Sequence, residues 1–399
     1  MQYHGGIRCT FQDHWFEKQV VIVQHGLGDR GDASRITGEL VAGPETLSAS
    51  ELESCRVDLA GQINDHPLDG EYHRAKSADW SKVTVPLLSA GNWGGQGLHL
   101  RGNVTAFEEA ASGQKWLEIH GREHWTEFYT DYGIALQRRF FDHFLKGEDN
   151  GWQDQPALQL QIRTVDGFVQ RFEDEWPLAR TQWTRIYLDA AGSAIADTVP
   201  YAAASITYEA GDTGVTFLAP ALEHETELTG PISAKIFISS ATSDADIFLI
   251  LHLFDPDGNE ISFQGALDPH SPIGQGWLRA SHRALDPQRS RPERPYHPHV
   301  STEPLTPGQV YQLDIEIWPT CIVAPAGYRF GLSVQGSDYE RDDVGASLDT
   351  FVNVMRGSGP FLHDHPANRP AEIYAGEVTI HTGPDYPSSL LLPVIPPKQ

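Results

Sequence analysis

Hydrophobic and polar positions fall into three successive textures along the chain. Residues 1–80 are mostly polar with helix-like stretches. Ser48 and Glu51 have the spacing of a reciprocal N-terminal cap, and Leu52, Cys55, Leu59 and Ile63 recur at helical spacing. Together they predict one helix over Ser48–Ile63 with a single buried stripe. From residue 82 to 150 the pattern becomes strand, helix, strand, helix. Val83–Ala90 reads as a buried parallel strand, with Pro86 counting against it because proline cannot donate to a ladder. Gly91–Gly97 is a glycine-rich turn opening a helix to about Ala111, Lys115–His120 is a second strand, and Gly121–Trp125 is a loop. Asp131–Lys146 is an amphipathic helix with Ile134, Leu136, Phe140, Phe141, Phe144 and Leu145 on or near one face, closed by Gly147. Strands alternating with helices predict an α/β sheet.

Beyond residue 155 the helical period disappears. Short runs at Leu158–Arg163, Thr184–Leu188, Ile232–Ser239, Phe248–Phe254, Val310–Trp318, Tyr328–Gln335 and Glu377–His381 are separated by proline and glycine turns. They predict one large β-sandwich or jelly roll able to fold by itself. Asp255–Asn259 carries Asp-Gly between two of these strands and is read as a hairpin turn rather than a calcium loop.

Charge and cysteine content narrow the function classes. Lysine and arginine total 29 against 54 acidic residues, a net charge of −25, which repels nucleic acid and anionic lipid surfaces. The basic run Arg283–Arg294 is broken by prolines and acids and reads as an exposed loop. Cys9, Cys55 and Cys321 are too few and too scattered for a disulfide framework. With no apolar leader or membrane-length segment in sight, the expectation is a cytoplasmic protein. A homo-oligomer is compatible with the sequence.

Among candidate chemical groups, His124 stands out because it follows a strand in the α/β region, where open sheets place their sites, and imidazole titrates near neutrality. His120 and His124 lack the further ligand that zinc requires, as do the pairs His297/His299 and His363/His365. The turn Gly91–Gly97 has neither dinucleotide nor Walker spacing, and is read as a turn where backbone must pass close to another segment. Trp93 and Trp125 fall on neighbouring loops and are candidates for a pocket wall. No cofactor or metal is implied. No G-x-S-x-G elbow occurs, and Gly331–Gly336, with Ser333 inside a predicted strand, has the wrong spacing.

Six ordered segments, VPLLSAGNWGGQG (85–97), HGREHW (120–125), RRFFDHFLKGE (138–148), 229–258, 324–340 and 390–396, resemble the cocaine-esterase-like and Xaa-Pro dipeptidyl-peptidase family of serine hydrolases. The resemblance implies a cap remnant over 1–80, the C-terminal part of an α/β-hydrolase domain over 81–150, and a jelly roll over 155–399. It implies acyl transfer on a small ester or peptide substrate by a Ser–His–Asp triad, with His124 as general base. The nucleophile half would precede Met1, so this chain alone is expected to be inactive. Gly94 stands where the family has its aspartate. Glu123 is adjacent and Asp131 is near in sequence, but the acid is unassigned. The alternative is a non-catalytic jelly-roll binding or scaffold protein.

Overall fold

The computed structural model describes residues 2–212, 214–342 and 355–397. The chain begins with a small hairpin, β1 (Tyr3–His4) and β2 (Ile7–Arg8), followed by α1 (Phe11–Trp15). The predicted helix over Ser48–Ile63 is two helices, α2 (Ala49–Ser54) and α3 (Leu59–Asp65), with α4 (Glu71–Arg74) beyond. Ser48 and Glu51 form the reciprocal cap. The break arises at Asp58, whose carboxylate accepts from Gly61 N at 2.9 Å and starts a new helix instead of continuing the old one.

Next come β3 (Leu87–Asn92), α5 (Leu100–Glu109), β4 (Lys115–His120), α6 (Thr126–Tyr129) and α7 (Asp131–Lys146). β3 begins only after Pro86, as a strand needing its amides must. It runs parallel to β4, with Leu87 opposite Lys115 and Asn92 opposite His120. Leu117 and Ile119 share one core with Leu100 and Val104 of α5. On the α7 side, the Trp116 ring lies 5.7 Å from Phe144 and 5.2 Å from Trp152. Thr130 caps α7 at Gly133 N, and Gly147 at φ 72° ends it in the left-handed region.

The remaining strands are β5 (Leu158–Thr164), β6 (Gly167–Glu173), β7 (Gln182–Asp189), β8 (Ala194–Ala196), β9 (Ala204–Glu209), β10 (Val215–Leu218), β11 (Thr226–Ser240) and β12 (Asp246–Phe254). They continue with β13 (Gly274–Arg279), β14 (Tyr311–Ala324), β15 (Arg329–Gln335), the short α8 (Ala371–Tyr374), β16 (Glu377–Thr382) and β17 (Ser389–Ile395). From β14 the hydrogen-bonded path runs through β13, β12, β15, β10, β8, β7, β17 and β11, then returns to β14. This closed sheet encloses the main core, in which inward residues alternate with outward ones: Ile232, Ala234, Ile236 and Ile238 on β11, Leu249, Leu251 and Leu253 on β12. The architecture is strand-rich and consistent with a β-sandwich-like domain. The Asp255–Asn259 turn is the hairpin expected: the Asp255 carboxylate accepts from Asp257 N at 2.9 Å and Asn259 N at 2.8 Å.

Two features join the α/β segment to the closed sheet. β5 is paired along its length with β6, and its other edge pairs in parallel first with β4 and then with β14 at Val323–Thr164. A second core draws Trp93, Leu117 and Ile119 together with Phe248, Trp277 and Trp318 of the closed sheet. The basic run expected as an exposed loop is part of this junction: Arg294 and Arg291 both pair with Glu108 of α5, the latter at 2.8 Å, and Arg294 keeps 12% side-chain exposure. None of the described helices is long and apolar enough to cross a membrane.

Candidate active site

β4 delivers His120 to the C-terminal end of the parallel pair, and the chain turns at Gly121 into the loop that carries His124. A Cβ at 121 would stand 2.0 Å from the ring of Phe168 on β6, so any side chain there would have to displace that ring. The turn after β3 is shaped the same way. A Cβ on Gly94 would lie 2.1 Å from Gln264 O and 2.4 Å from Gly265 Cα. The loop between β12 and β13 therefore occupies the space that an acid at 94 would need, and this close approach explains the glycines. Two residues further on, the same loop accepts a hydrogen bond from His124 N on Ala266 O at 3.1 Å. One loop of the closed sheet thus packs on both strand-end turns.

The His124 ring packs against His99 with centroids 4.8 Å apart and edge-on to Trp125 at 5.7 Å. Among the described residues its ring nitrogens have no hydrogen-bond partner. Burial, and next the nearby His120, hold its pKa below the ordinary imidazole value. Burial and His124 bring His99 down to about 4. His124 is therefore a neutral base at neutral pH. It lies on the wall of a largely apolar cavity of 260 Å³ between the strands and α7, lined also by Leu88, Glu118, His120, Phe128, Leu136 and Phe140.

Inside that cavity the structure brings together a pair absent from the sequence-based candidates. Glu118 Oε2 lies 3.0 Å from His120 Nδ1, both side chains buried, while His120 Nε2 has no partner among the described residues. Burial raises the Glu118 pKa, partly offset by its hydrogen bond to His120. Glu118 and His120 stand two apart on one strand, hence on one face, but Glu118 lies in an otherwise apolar run that gives no sign of a buried carboxylate. The adjacent carboxylate of Glu123 accepts from the Thr126 hydroxyl at the start of α6.

Trp93, expected on a pocket wall, is instead fully buried in the second core, with its Nε1 donating to Gln161 O at 2.7 Å. Trp125 is 44% exposed beside His124. A different serine shows triad-like connectivity: Ser333 Oγ is 2.8 Å from His252 Nε2, and His252 Nδ1 is 2.6 Å from Glu260 Oε1. Ser333 is 4% exposed, its Oγ also bonds Thr216 Oγ1 at 2.7 Å, and its strand is paired on both sides, with Thr216 and Ile250 opposite it. Backbone amides used in ladders cannot form an oxyanion hole, so this is a closed polar network within the sheet.

An α/β segment bearing a histidine loop at its strand ends thus packs on a closed β-sheet domain. Comparison with known proteins gives the family. Residues 150–391 match the X-Pro dipeptidyl-peptidase C-terminal non-catalytic domain. The chain is 23% identical over 299 residues to the cocaine esterase of Rhodococcus sp. (strain MB1 Bresler), covering 65% of this chain and 46% of that protein. It is 25% identical over 253 residues to a putative serine esterase of Mycobacterium tuberculosis, covering 55% of this chain and 38% of that protein. A CocE/NonD family hydrolase from Staphylococcus aureus superposes with TM-score 0.81 at 26% identity, over 99% of this chain and 65% of the other. An α-amino acid ester hydrolase shares the fold, with TM-score 0.61 at 13% identity over 98% of this chain and 70% of the other. The chain belongs to the cocaine-esterase-like and X-Pro dipeptidyl-peptidase family. Its matches span about half the length of the curated relatives or less.

Proposed function

We propose that this chain is the C-terminal part of a serine hydrolase that cleaves ester or amide bonds of small substrates through an acyl-enzyme, with His124 as its general base. The carrying observation is the His124 ring, held at the strand ends, neutral, and free of hydrogen bonds to described residues beside an apolar cavity. In this reading His124 takes the proton of an attacking serine and returns it to the leaving group. That serine belongs to polypeptide outside these 399 residues, and the chain alone is inactive. Residues 1–80 are cap, 81–150 the last part of an α/β-hydrolase sheet, and 155–399 a jelly roll; the setting is cytoplasmic, with the cysteines as thiols.

Two further observations support the reading. β3 ends its sheet, its outer edge paired with no described strand, whereas parallel sheets are ordinarily covered and continued. Next to it Phe128, Ile134, Phe141 and Leu145 are each at least half exposed, an apolar stripe suited to packing against further hydrolase structure. Trp125 then contributes to the substrate wall. The triad acid comes from a residue other than 94.

The test is hydrolysis of p-nitrophenyl esters and Xaa-Pro anilides by the longest native polypeptide and its His124→Ala variant. The expected loss is about 10²–10⁴-fold in kcat/KM, the contribution of a positioned general base. Unchanged turnover in the variant would overturn the assignment of His124. Absence of turnover in the native polypeptide would favour the second reading, a non-catalytic binding or scaffold module, which the non-catalytic family description of residues 150–391 supports.

A further inference from the structure

His363, set aside in the sequence because the His363/His365 pair lacked a further ligand, gains partners from the opposite end of the chain. The Asp338 carboxylate accepts from His363 Nδ1 at 2.8 Å through one oxygen and from His363 N at 2.6 Å through the other. This fixes the ring with its proton on Nδ1, leaving Nε2 as a bare lone pair. That lone pair meets His4 Nδ1 of the N-terminal hairpin at 2.7 Å. The His4 proton then belongs on Nδ1, and its Nε2 is a second bare lone pair, buried and with no partner among the described residues. Cys9 completes the group. His4, Cys9 and His363 each offer a ligand atom within 4.8 Å of one another, and all three are 3% exposed or less. Trp277 and Trp318 close the surroundings, their rings 5.0 and 5.3 Å from His4.

We propose that His4, Cys9 and His363 bind one zinc-like divalent metal ion, with Asp338 orienting His363 from behind, and that the ion ties the N-terminal hairpin to the closed sheet. Two imidazole nitrogens and a thiolate are a donor set for borderline-soft metals, and a carboxylate behind a ligating histidine is its usual support. The charges balance: a dication, the Cys9 thiolate and the Asp338 carboxylate sum to zero, so the ion makes ionisation of this buried thiol affordable. Binding releases the Cys9 proton to solvent and moves the His4 proton from Nδ1 to Nε2, so that His4 ligates through Nδ1 beside His363 Nε2. Nitrogens sharing one tetrahedral zinc stand roughly 3.3 Å apart, so the His4 ring must retreat by about 0.6 Å from its hydrogen bond to His363.

The experiment uses the 399-residue chain without a polyhistidine tag. Zinc is quantified after dialysis against zinc and then buffer, and the metal-stripped protein is titrated with Co²⁺. The expected result is roughly one equivalent of zinc and, with cobalt, a thiolate-to-metal charge-transfer band with tetrahedral d–d absorption. The band is lost in Cys9→Ser, persists in Cys55→Ser, and in Asp338→Asn requires about 10–100-fold more cobalt. A folded wild-type protein that retains no zinc and shows no such band overturns the proposal, as does a band that survives Cys9→Ser. Should Cys9→Ser fail to fold, the wild-type cobalt spectrum decides alone.

Discussion

The closed sheet and the α/β segment treat their buried polar groups differently. In the sheet, Asp246 is fully buried yet bonded by Arg279 at 2.8 Å and Arg369 at 2.9 Å, and Ser333, His252 and Glu260 satisfy one another. In the α/β segment, Glu118 keeps one oxygen and His120 one nitrogen without a partner, beside a cavity and an unpaired strand edge. The Asp246 and Ser333 clusters of the closed sheet use their polar groups to hold the sheet together, although Gln275 Oε1 and Trp277 Nε1 on β13 are also buried without a partner among the described residues. The α/β segment leaves its pair facing a space where chemistry or further chain can enter, so apparent triad connectivity in the sheet is weaker evidence of activity than incomplete bonding in the α/β segment.

The largest test of this contrast is to separate the regions. The sequence alone predicts that 155–399 folds independently, but the second core crosses that boundary and covers Phe248, Trp277 and Trp318 from the other side. Removal of 1–154 is expected to leave that apolar surface uncovered and to yield insoluble or molten protein; a cooperative melt of the 155–399 fragment would break the account. A paired comparison comes next. Asp246→Ala should cost about 3–5 kcal/mol, because it strands two buried guanidinium groups. Glu118→Gln should cost little or stabilise at neutral pH. Its raised pKa means that burial favours the protonated form, so stability present below the ordinary glutamate pKa is lost as pH rises through the raised value. Urea melts at pH 4 and pH 7.5 measure both. Gly94→Ala should cost about 1–3 kcal/mol, because Gln264 and Gly265 must move. The smallest effect is on pH dependence: the acid limb of kcat/KM in the native polypeptide should lie below that of an ordinary imidazole, since burial and the nearby His120 hold His124 down.

Much of the fold was legible where periodicity and caps agree. α7 and its Gly147 cap match the predicted Asp131–Lys146, and each predicted strand along 158–381 overlaps an observed one, although β11 begins six residues before Ile232 and β14 ends six residues after Trp318. The closure of the sheet and the second core were not legible, since both depend on contacts between residues far apart in sequence. The same cause hid the packing of Gln264 on Gly94: the glycine-rich turn announced a close approach, but not what approached. His124 could be singled out by position after β4. Trp93 could not be assigned, because a core tryptophan and a pocket tryptophan have the same pattern. Glu118 was hidden by its apolar neighbours, and the His4–Cys9–His363 group by a separation spanning nearly the whole chain.

The most direct test of the central claim is to label the native protein with a fluorophosphonate probe and locate the adduct by tandem mass spectrometry. The account predicts an adduct on a serine outside these 399 residues, strongly reduced in His124→Ala. An adduct on Ser333, or one whose rate is indifferent to His124, would contradict it.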